Sequence, residues 1–320
     1  MIMEKRKKIS ICSGTYNEET NIREFYERCL VQLKKFPQYD YEFVVADNCS
    51  TDRTKEIMRE IAAEDKNFKC IFNANNFGPD RSTTNARHQA TGDAVIMIVS
   101  DLQDPPEMIE EFIRKWEEGY KLVCAVKNEY SGNIMMNLVR RFYYFILDYV
   151  SEVKMIRNYH GFGLYDRMVV DAMKKFNNTV PYPRGLICEI GFKRCEVLYT
   201  QGERKNGKSS YNFLSYYDHA MTGFINYTKL PLRFAVFSGF FIAFLSFIAA
   251  VIYFIYKVCN WNSFQVGMAP LVIGVFFFSA VQLIFIGILG EYIGAIYSQV
   301  KSRPLVIEEE RINFDDDSKE

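Results

Sequence analysis

The stretch YEFVVADNCSTDRT, residues 41–54, decides the fold class because it joins an apolar run directly to a polar one. Residues 41–46 have the composition of a buried strand, and a helical pattern over residues 52–64 begins within the polar part. A buried strand that passes through a polar turn into a helix is the opening of a strand–helix–strand unit. This stretch therefore predicts an α/β fold.

The same alternation of strand and helix patterns extends from residue 8 to residue 126. The predicted strands are residues 8–12, 41–46, 69–72, 94–99 and 122–126, and the predicted helices are residues 18–35, 52–64, 82–90 and 106–118. Such repetition predicts a Rossmann-like, mostly parallel sheet with helices on both faces. In sheets of this kind, ligands bind beyond the carboxyl ends of the strands.

Three polar clusters directly follow predicted strands, so we expect them to meet at one edge of the sheet. They are SGTYNEETNI (residues 13–22), DNCSTDRT (residues 47–54) and SDLQDPPE (residues 100–107). No G-x-G-x-x-G or G-K-[ST] loop occurs in this part of the chain. That argues against a dinucleotide-dependent oxidoreductase and against a P-loop nucleotidase.

The composition differs between the two parts of the chain. The 320 residues include 39 Lys and Arg and 39 Asp and Glu, so the net charge is zero and we expect no nucleic-acid partner. Hydrophobic residues make up 49% of the chain and concentrate after residue 230, where residues 234–256 and 266–290 contain no charged side chain. Each run exceeds the roughly 20 residues that cross a bilayer as a helix. The sequence thus predicts a polar enzyme followed by two transmembrane helices.

Charges beside the two predicted spans set the expected orientation. Arg233 precedes the first span, and Lys301 and Arg303 follow the second. The loop between the spans contains one basic residue, Lys257. This bias predicts an integral, multi-pass membrane protein with the catalytic domain and both termini in the cytoplasm. The expected divisions are a catalytic domain (1–210), an interfacial helical segment (211–232), the two spans (233–297) and a cytoplasmic tail (298–320), which we expect to be disordered.

The cysteine and histidine pattern argues against a zinc site. No C-x-x-C pair occurs, and the three histidines, His88, His160 and His219, are far apart in the sequence. Seven of the eight cysteines belong to the predicted cytoplasmic part, where thiols stay reduced. We expect these cysteines to be small core residues.

The third polar cluster has the pattern of a divalent-cation site. Asp101 and Gln103 offer a carboxylate and an amide oxygen, which are hard ligands for Mg²⁺ or Mn²⁺ shared with a diphosphate. Such an ion would neutralise negative charge on the diphosphate. The alternative is a capped turn before the next helix, and we expect Asp104 to serve as that cap in either case. Ligation by Asp101 accounts better for Gln103.

These clusters resemble the family 2 glycosyltransferases of the GT-A fold, and more narrowly the polyprenyl-phosphate glycosyltransferases related to dolichyl-phosphate mannose synthase. The resemblance covers nearly the whole chain. It is carried by TYNE (15–18), DNCSTD (47–52), NFG (76–78), DLQDPPE (101–107), LYDR (164–167), PRGL (183–186), GKSSY (207–211) and ILGEYIGAIYSQVKSRP (288–304). Each motif alone is weak, but their joint order is specific.

The resemblance implies transfer of a sugar from a nucleoside-diphosphate sugar, here a UDP-sugar, to polyprenyl phosphate with inversion at the cytoplasmic membrane face. It also implies a homo-oligomer, with a tetramer as one form. Asp47 is then expected to accept a hydrogen bond from an imide N–H of the nucleobase. The other nucleotide-sugar contacts implied are Thr15, Asn17, Glu18, Asn48, Asn76 and Ser100. Residues 17–20 and 50–52 also fit helix N-caps, and both readings stay open.

Cations in two segments fit the phosphates of donor and acceptor. By resemblance, Arg204 in QGERKNGKSSY (201–211) contacts the pyrophosphate and acts in catalysis together with Asp101. The acceptor phosphate and lipid are expected at Arg140, Arg141, Lys208 and Ser209. The alternative is a solvated loop and an ordinary amphipathic core helix.

Two departures from the family pattern stand out. Val99 occupies the first acidic position of the usual Asp-x-Asp motif, which leaves Asp101 as its only acid. HGFGL (residues 160–164) replaces Gly-Asp-Phe-Arg-Leu, so Gly161 stands where a proposed catalytic Asp usually lies. His160 is either a substitute base or a structural histidine.

Other functions remain open at the level of sequence. The acceptor is alternatively a lipid-linked glycan or a surface polymer, which keeps the enzyme class and changes the substrate. A catalytically impaired scaffold of the same fold is suggested by the lost acids at Val99 and Gly161, whereas the retention of Asp101, Gln103 and Arg204 argues against it.

Overall fold

The computed structural model describes residues 6–128, 156–176, 183–202, 228–259, 268–301 and 303–314. The strands are β1 (Lys8–Thr15), β2 (Asp40–Asp47), β3 (Phe68–Asn73), β4 (Ala94–Met97), β5 (Leu122–Lys127), β6 (Tyr159–Asp166), β7 (Arg194–Tyr199) and β8 (Glu308–Ile312). The helices are α1 (Ile22–Leu33), α2 (Thr54–Glu64), α3 (Pro79–Gln89), α4 (Met108–Glu117), α5 (Arg167–Lys175), α6 (Pro183–Ile190), α7 (Leu230–Cys259) and α8 (Met268–Val300).

The described strands form one mixed sheet in the order β7-β5-β6-β4-β1-β2-β3-β8. The pairs β1–β2, β1–β4, β2–β3 and β5–β7 are parallel, while β6 is antiparallel to β4 and β5, and β8 is antiparallel to β3. The predicted α/β architecture is confirmed, including the five strands up to Lys127. No strand was predicted after residue 126, so β6, β7 and β8 are additions.

The apolar run of β2 is continuous because that strand is buried on both faces. Phe43 and Val45 belong to the core on one face of the sheet, and Val44 and Ala46 to the core on the other. Side chains alternate between the faces of a strand, so a strand that is covered on both sides shows no polar alternation. The strand thus runs through the core of the sheet and ends at Asp47 on its carboxyl edge.

A buried carboxylate ties the other end of β2 to its neighbours. Glu42 is 2% exposed and accepts hydrogen bonds from Lys69 Nζ at 2.8 Å, Ser10 Oγ at 2.7 Å and the backbone N–H of Thr91 at 2.7 Å. Burial alone would raise the pKa of Glu42, but these hydrogen bonds outweigh it and lower the pKa to about 2. The carboxylate thus links β1, β2, β3 and the turn before β4.

Helices α7 and α8 are long enough and apolar enough to cross a membrane. Their apolar stretches, Leu230–Cys259 and Ile273–Val300, have mean hydropathies of 2.5 and 2.3, and no part of the most apolar window of either is buried. A core helix of a soluble domain would be covered, so this exposure favours the membrane prediction. The second helix continues to Val300, beyond the predicted end at residue 290.

The prediction of a disordered tail is wrong for β8, which pairs with β3 at the edge of the sheet. The Asn313 amide donates to the carbonyl oxygens of Ala62 at 2.7 Å and Phe68 at 2.9 Å. The charged sequence EEERI reads as solvated, but an edge strand needs only backbone pairing and tolerates charge on its exposed face. Because the chain returns from α8 to this sheet, the tail and the catalytic domain lie on the same side of any membrane that both helices cross.

The Glu42 cluster generates a pH-dependent stability. A carboxyl with a pKa of 4.5 when unfolded and about 2 when folded contributes on the order of 3 kcal/mol of stability above pH 4.5. That contribution is lost as the pH falls from 4.5 towards 2. Urea unfolding of the full-length chain in detergent should therefore show a free energy of unfolding that declines in this window.

Glu42→Gln should be less stable than the wild type at pH 7 by a similar amount, because Lys69 loses its carboxylate. Its free energy of unfolding should also depend less on pH below 4.5. Equal pH dependence in the two proteins would contradict the assignment of this stability to Glu42.

Candidate functional site

The carboxyl ends of β1 and β2 place two buried oxygen atoms side by side. Thr15 and Asp47 are the last residues of these strands and face each other in the parallel register. Both side chains are buried, and Thr15 Oγ1 and Asp47 Oδ1 have no hydrogen-bond partner among the described residues. Buried polar atoms are nearly always paired, so two unpaired oxygens at the ligand-binding edge indicate a binding site.

Only one oxygen of the Asp47 carboxylate has a hydrogen-bond partner among the described residues. Its Oδ2 accepts a hydrogen bond from the backbone N–H of Ser50 at 3.0 Å. Burial raises the pKa of Asp47 in spite of the hydrogen bonds from Ser50. The remaining oxygen, Oδ1, is an acceptor that a ligand N–H group can satisfy.

The first two polar clusters are locked together by hydrogen bonds. The backbone N–H of Asn17 donates to Ser50 Oγ at 2.9 Å, and Asn17 Oδ1 accepts from the backbone N–H of Thr51 at 2.8 Å. The backbone N–H of Glu18 donates to Thr54 Oγ1 at 2.8 Å. Asn17 is therefore not the cap of α1, whose N-cap residue is Asn21. These contacts hold the rim of the Thr15–Asp47 site.

The NFG motif meets the second cluster through paired amides. Asn48 Nδ2 donates to Asn76 Oδ1 at 2.7 Å, and Asn48 Oδ1 accepts from the backbone N–H of Phe77 at 3.0 Å. Asn76 Oδ1 also accepts from Gly78, whose φ of 85° suits glycine at the start of α3. Asn48 and Asn76, both predicted site residues, thus lie together beside Asp47.

The third cluster forms a tight turn after β4. Asp101 Oδ1 accepts from the backbone N–H of Gln103 at 3.1 Å, and Leu102 between them has a left-handed φ of 59°. Ser100 is buried, and its Oγ has no partner within the described part of the chain. Val99, which replaces the first acid of the motif, is 42% exposed.

The described residues contain no group of three or more His, Cys, Asp or Glu side chains that could hold a metal ion. Asp101 and Gln103 alone therefore do not complete a coordination shell. Magnesium, however, is commonly bound through one or two carboxylates together with substrate phosphates and water. The donor set at this turn fits a divalent cation that arrives with a diphosphate.

The prediction that Asp104 caps the following helix is wrong. Helix α4 begins at Met108 with Glu107 as its N-cap residue. Asp104 is 1% exposed, and its Oδ1 accepts from Tyr199 OH at 2.7 Å while its Oδ2 lies 2.9 Å from His160 Nε2. Burial alone would raise the pKa of Asp104, but the hydrogen bonds from His160 and Tyr199 lower it. An ionised Asp104 only accepts, so His160 Nε2–H donates to it.

Gly161, which stands where the family has an acid, has a backbone conformation that favours glycine. Gly163 lies opposite Met97 in the antiparallel pairing of β6 with β4, so Gly161 and His160 lie beyond the end of β4, beside the Asp101 turn. Gly161 has a φ of 108°, and a Cβ there would meet nothing within 4 Å. The position is open, but its backbone conformation disfavours an aspartate.

Some predicted site residues lie outside the described residues: Arg140, Arg141, Arg204, Lys208 and Ser209. The structure describes the chain as far as Gly202, two residues before Arg204. The backbone N–H of Gly202 donates to the Gln103 carbonyl at 2.9 Å, so the chain leaves β7 next to the Asp101 turn.

Sequence reasoning missed the roles of His160 and Tyr199 as partners of Asp104, because nothing in the sequence places β6 and β7 beside that turn.

Comparisons with known proteins agree with this architecture. The family model described as glycosyl transferase family 2 matches residues 10–173, about half of the chain. A putative glycosyltransferase CsbB of Bacillus subtilis is 34% identical over 94% of this chain and 91% of its own length. The SfII prophage-derived bactoprenol glucosyl transferase of Shigella flexneri is 32% identical over 94% of this chain and 97% of its own length.

Among solved structures, the mannosyltransferase PcManGT of Pyrobaculum calidifontis, in complex with GDP-Man and Mn²⁺, is 14% identical with a TM-score of 0.46. It covers 93% of this chain and 87% of its own. That likeness is too weak to bear on the nucleotide, sugar or metal of this chain. The family model and the curated relatives confirm the resemblance seen in the sequence motifs, and the chain belongs to glycosyl transferase family 2.

Proposed function

We propose that this chain transfers a sugar from a UDP-sugar to polyprenyl phosphate, with inversion, at the cytoplasmic face of the membrane. The main support for this proposal is that one chain contains both a family 2 domain and two exposed apolar helices. The curated relatives that cover 94% of this chain include bactoprenol glucosyl transferases, and bactoprenol is a polyprenol. A lipid acceptor explains why a polar sheet domain is joined to membrane helices.

The Thr15–Asp47 site would bind the nucleobase. Asp47 Oδ1, buried and without a partner among the described residues, suits the imide N–H of uracil. Thr15 Oγ1 offers a second polar contact beside it. Asn17, Glu18 and the other predicted contacts, Asn48, Asn76 and Ser100, would complete the nucleotide-sugar site around this pair.

Asp101 and Gln103 would hold Mg²⁺ or Mn²⁺ together with the donor diphosphate. When bound, the ion would neutralise the negative charge that develops on the leaving UDP. The hydrogen bond from the Gln103 N–H orients the Asp101 carboxylate before any ligand arrives. Since Val99 supplies no second acid, the orientation of Asp101 matters more than in a site with two carboxylates.

The reaction needs no protein base. A lipid phosphate monoester has a second pKa of about 6, so it is mostly a dianion at neutral pH. One of its oxygens attacks the anomeric carbon, a new carbon–oxygen bond forms, and the bond to UDP breaks with the electron pair leaving on UDP. This single displacement inverts the anomeric centre and is consistent with Gly161 in place of an acid. The protein then contributes positioning and charge stabilisation.

Cations outside the described residues would complete the phosphate sites. We assign Arg204 to the pyrophosphate, and Arg140, Arg141, Lys208 and Ser209 to the acceptor phosphate and its lipid. A homo-oligomer, such as a tetramer, remains part of the proposal. Both termini would be cytoplasmic, which agrees with the return of β8 to the catalytic sheet.

The first test is product formation. Purified full-length protein in detergent, given a panel of nucleotide-sugars, polyprenyl phosphate and Mg²⁺ or Mn²⁺, should yield a glycosylated polyprenyl phosphate detectable by mass spectrometry. Asp101→Asn should lower turnover by at least about 100-fold, because it removes the carboxylate that we assign to the metal at the leaving diphosphate.

Asp93→Asn is the matched control for Asp101→Asn. Asp93 lies just before the other end of β4, and its carboxylate accepts from the backbone N–H of Lys8 at 2.8 Å, far from the carboxyl edge. This variant should retain wild-type turnover. Wild-type activity that a chelator leaves unchanged would refute the metal-dependent mechanism, and absence of any lipid product across the panel would refute the proposed acceptor.

The nucleobase assignment makes a second, sharper prediction. In Asp47→Asn, the amide carbonyl should take over the hydrogen bond from Ser50 N–H, which leaves the NH₂ group facing the uracil imide N–H. Two donors then oppose each other, so UDP affinity should fall by about 10- to 100-fold, the equivalent of a lost hydrogen bond to a charged group. Cytosine has an acceptor at that position, so the variant should gain affinity for CDP.

Calorimetric titration of the wild type and Asp47→Asn with UDP and CDP measures this exchange. Asp93→Asn again serves as the control that should bind UDP normally. An Asp47→Asn protein with unchanged UDP affinity would mean that Asp47 does not contact the base.

A further inference from the structure

We propose that His160 and Tyr199 are positioning residues for the donor diphosphate and its metal, because together they clamp Asp104 and so fix the turn that presents Asp101 and Gln103. The inference rests on the proposed function of that turn. His160 and Tyr199, which lie on separate strands, would thus support the metal turn. The sequence alone had left His160 as either a substitute base or a structural histidine.

The clamp consists of one buried carboxylate with both oxygens engaged. Tyr199 OH donates to Asp104 Oδ1 at 2.7 Å, and His160 Nε2–H donates to Oδ2 at 2.9 Å. Tyr199 is itself buried, and its ring packs edge-on against the ring of Phe162, with the two ring centroids 5.4 Å apart. The three side chains come from β6, β7 and the turn after β4, so the hydrogen bonds join elements that are distant in sequence.

The turn needs such a clamp because its backbone is held in an unfavourable conformation. Leu102 is a bulky residue with a left-handed φ of 59°, and the conformation persists only where surrounding contacts enforce it. Asp104 anchors the turn two residues later, and the Gly202 N–H anchors the Gln103 carbonyl at 2.9 Å. Loss of the clamp would let the turn relax and rotate Asp101 and Gln103 away from a shared ligand.

The single acid of the motif makes this positioning consequential. With Val99 in the first acidic position, a bound cation would have Asp101 as its only carboxylate from the motif. Residues that orient a metal ligand typically change metal affinity by about 10- to 100-fold when they are mutated. The clamp therefore compensates for the missing acid by fixing the one that remains.

Tyr199→Phe tests the clamp with the smallest change, since it removes one hydroxyl and keeps the ring. The readout is Mn²⁺ affinity in the presence of UDP, followed by electron paramagnetic resonance of the full-length protein in detergent. We expect the affinity to fall by about 10-fold. His160→Gln retains an N–H donor of similar reach and should keep near-normal affinity, whereas His160→Leu should lose affinity as Tyr199→Phe does.

Tyr26→Phe is the matched control. Tyr26 OH donates to Asp65 Oδ2 at 2.9 Å, so this variant also deletes a buried tyrosine's hydrogen bond to an aspartate, but between α1 and the C-cap of α2. It should leave Mn²⁺ affinity unchanged, and its thermal unfolding temperature should fall about as much as that of Tyr199→Phe. The pair separates loss of positioning from loss of stability.

The outcomes are distinct. Wild-type affinity for Mn²⁺ and UDP in Tyr199→Phe and His160→Leu would overturn the clamp and leave the proposed function standing. An equal loss of affinity in Tyr26→Phe would also overturn the clamp, since the effect would then be general destabilisation. A wild-type protein that binds no Mn²⁺ with UDP would refute the proposed metal site itself.

Discussion

The structure depends on the ends of two largely buried parallel strands at one edge of the sheet, where each strand leaves an oxygen atom without a partner among the described residues. Thr15 Oγ1 and Asp47 Oδ1 lie side by side because β1 and β2 pair in parallel register and are packed on both faces. The pairing of Thr15 with Asp47 in this register brings the two side chains to the same edge of the sheet. The third polar cluster follows β4, which pairs with β1 on the side opposite β2.

Strand β2 bears a buried carboxylate near each end, and the two serve opposite purposes. Glu42 is fully paired, and its lowered pKa shows that the fold stabilises the charge. Asp47 is only half paired, and its raised pKa shows that burial opposes the charge. A protein that keeps a costly, half-satisfied carboxylate at the ligand-binding edge sacrifices stability for binding.

The sequence predicted those elements correctly whose structure is determined by a local pattern of residues. Buried strands such as β2, the polar cluster after each, and the apolar helices α7 and α8 all follow from short-range periodicity and length. The Asp104 clamp was missed because its partners, His160 and Tyr199, are brought in by antiparallel and edge strands that local patterns do not reveal. The tail strand β8 was missed because its charged side chains suggest solvent, whereas its backbone completes the edge of the sheet.

The central claim is that the Thr15–Asp47 edge binds the nucleobase of a UDP-sugar, with the diphosphate directed towards Asp101. A cryo-electron microscopy structure of the full-length protein with UDP and Mn²⁺ tests it most directly. We expect the uracil imide nitrogen at hydrogen-bonding distance from Asp47 Oδ1, about 2.7–3.2 Å, and the metal on the Asp101 carboxylate. A nucleotide bound elsewhere, or a base that contacts neither Thr15 nor Asp47, would contradict it.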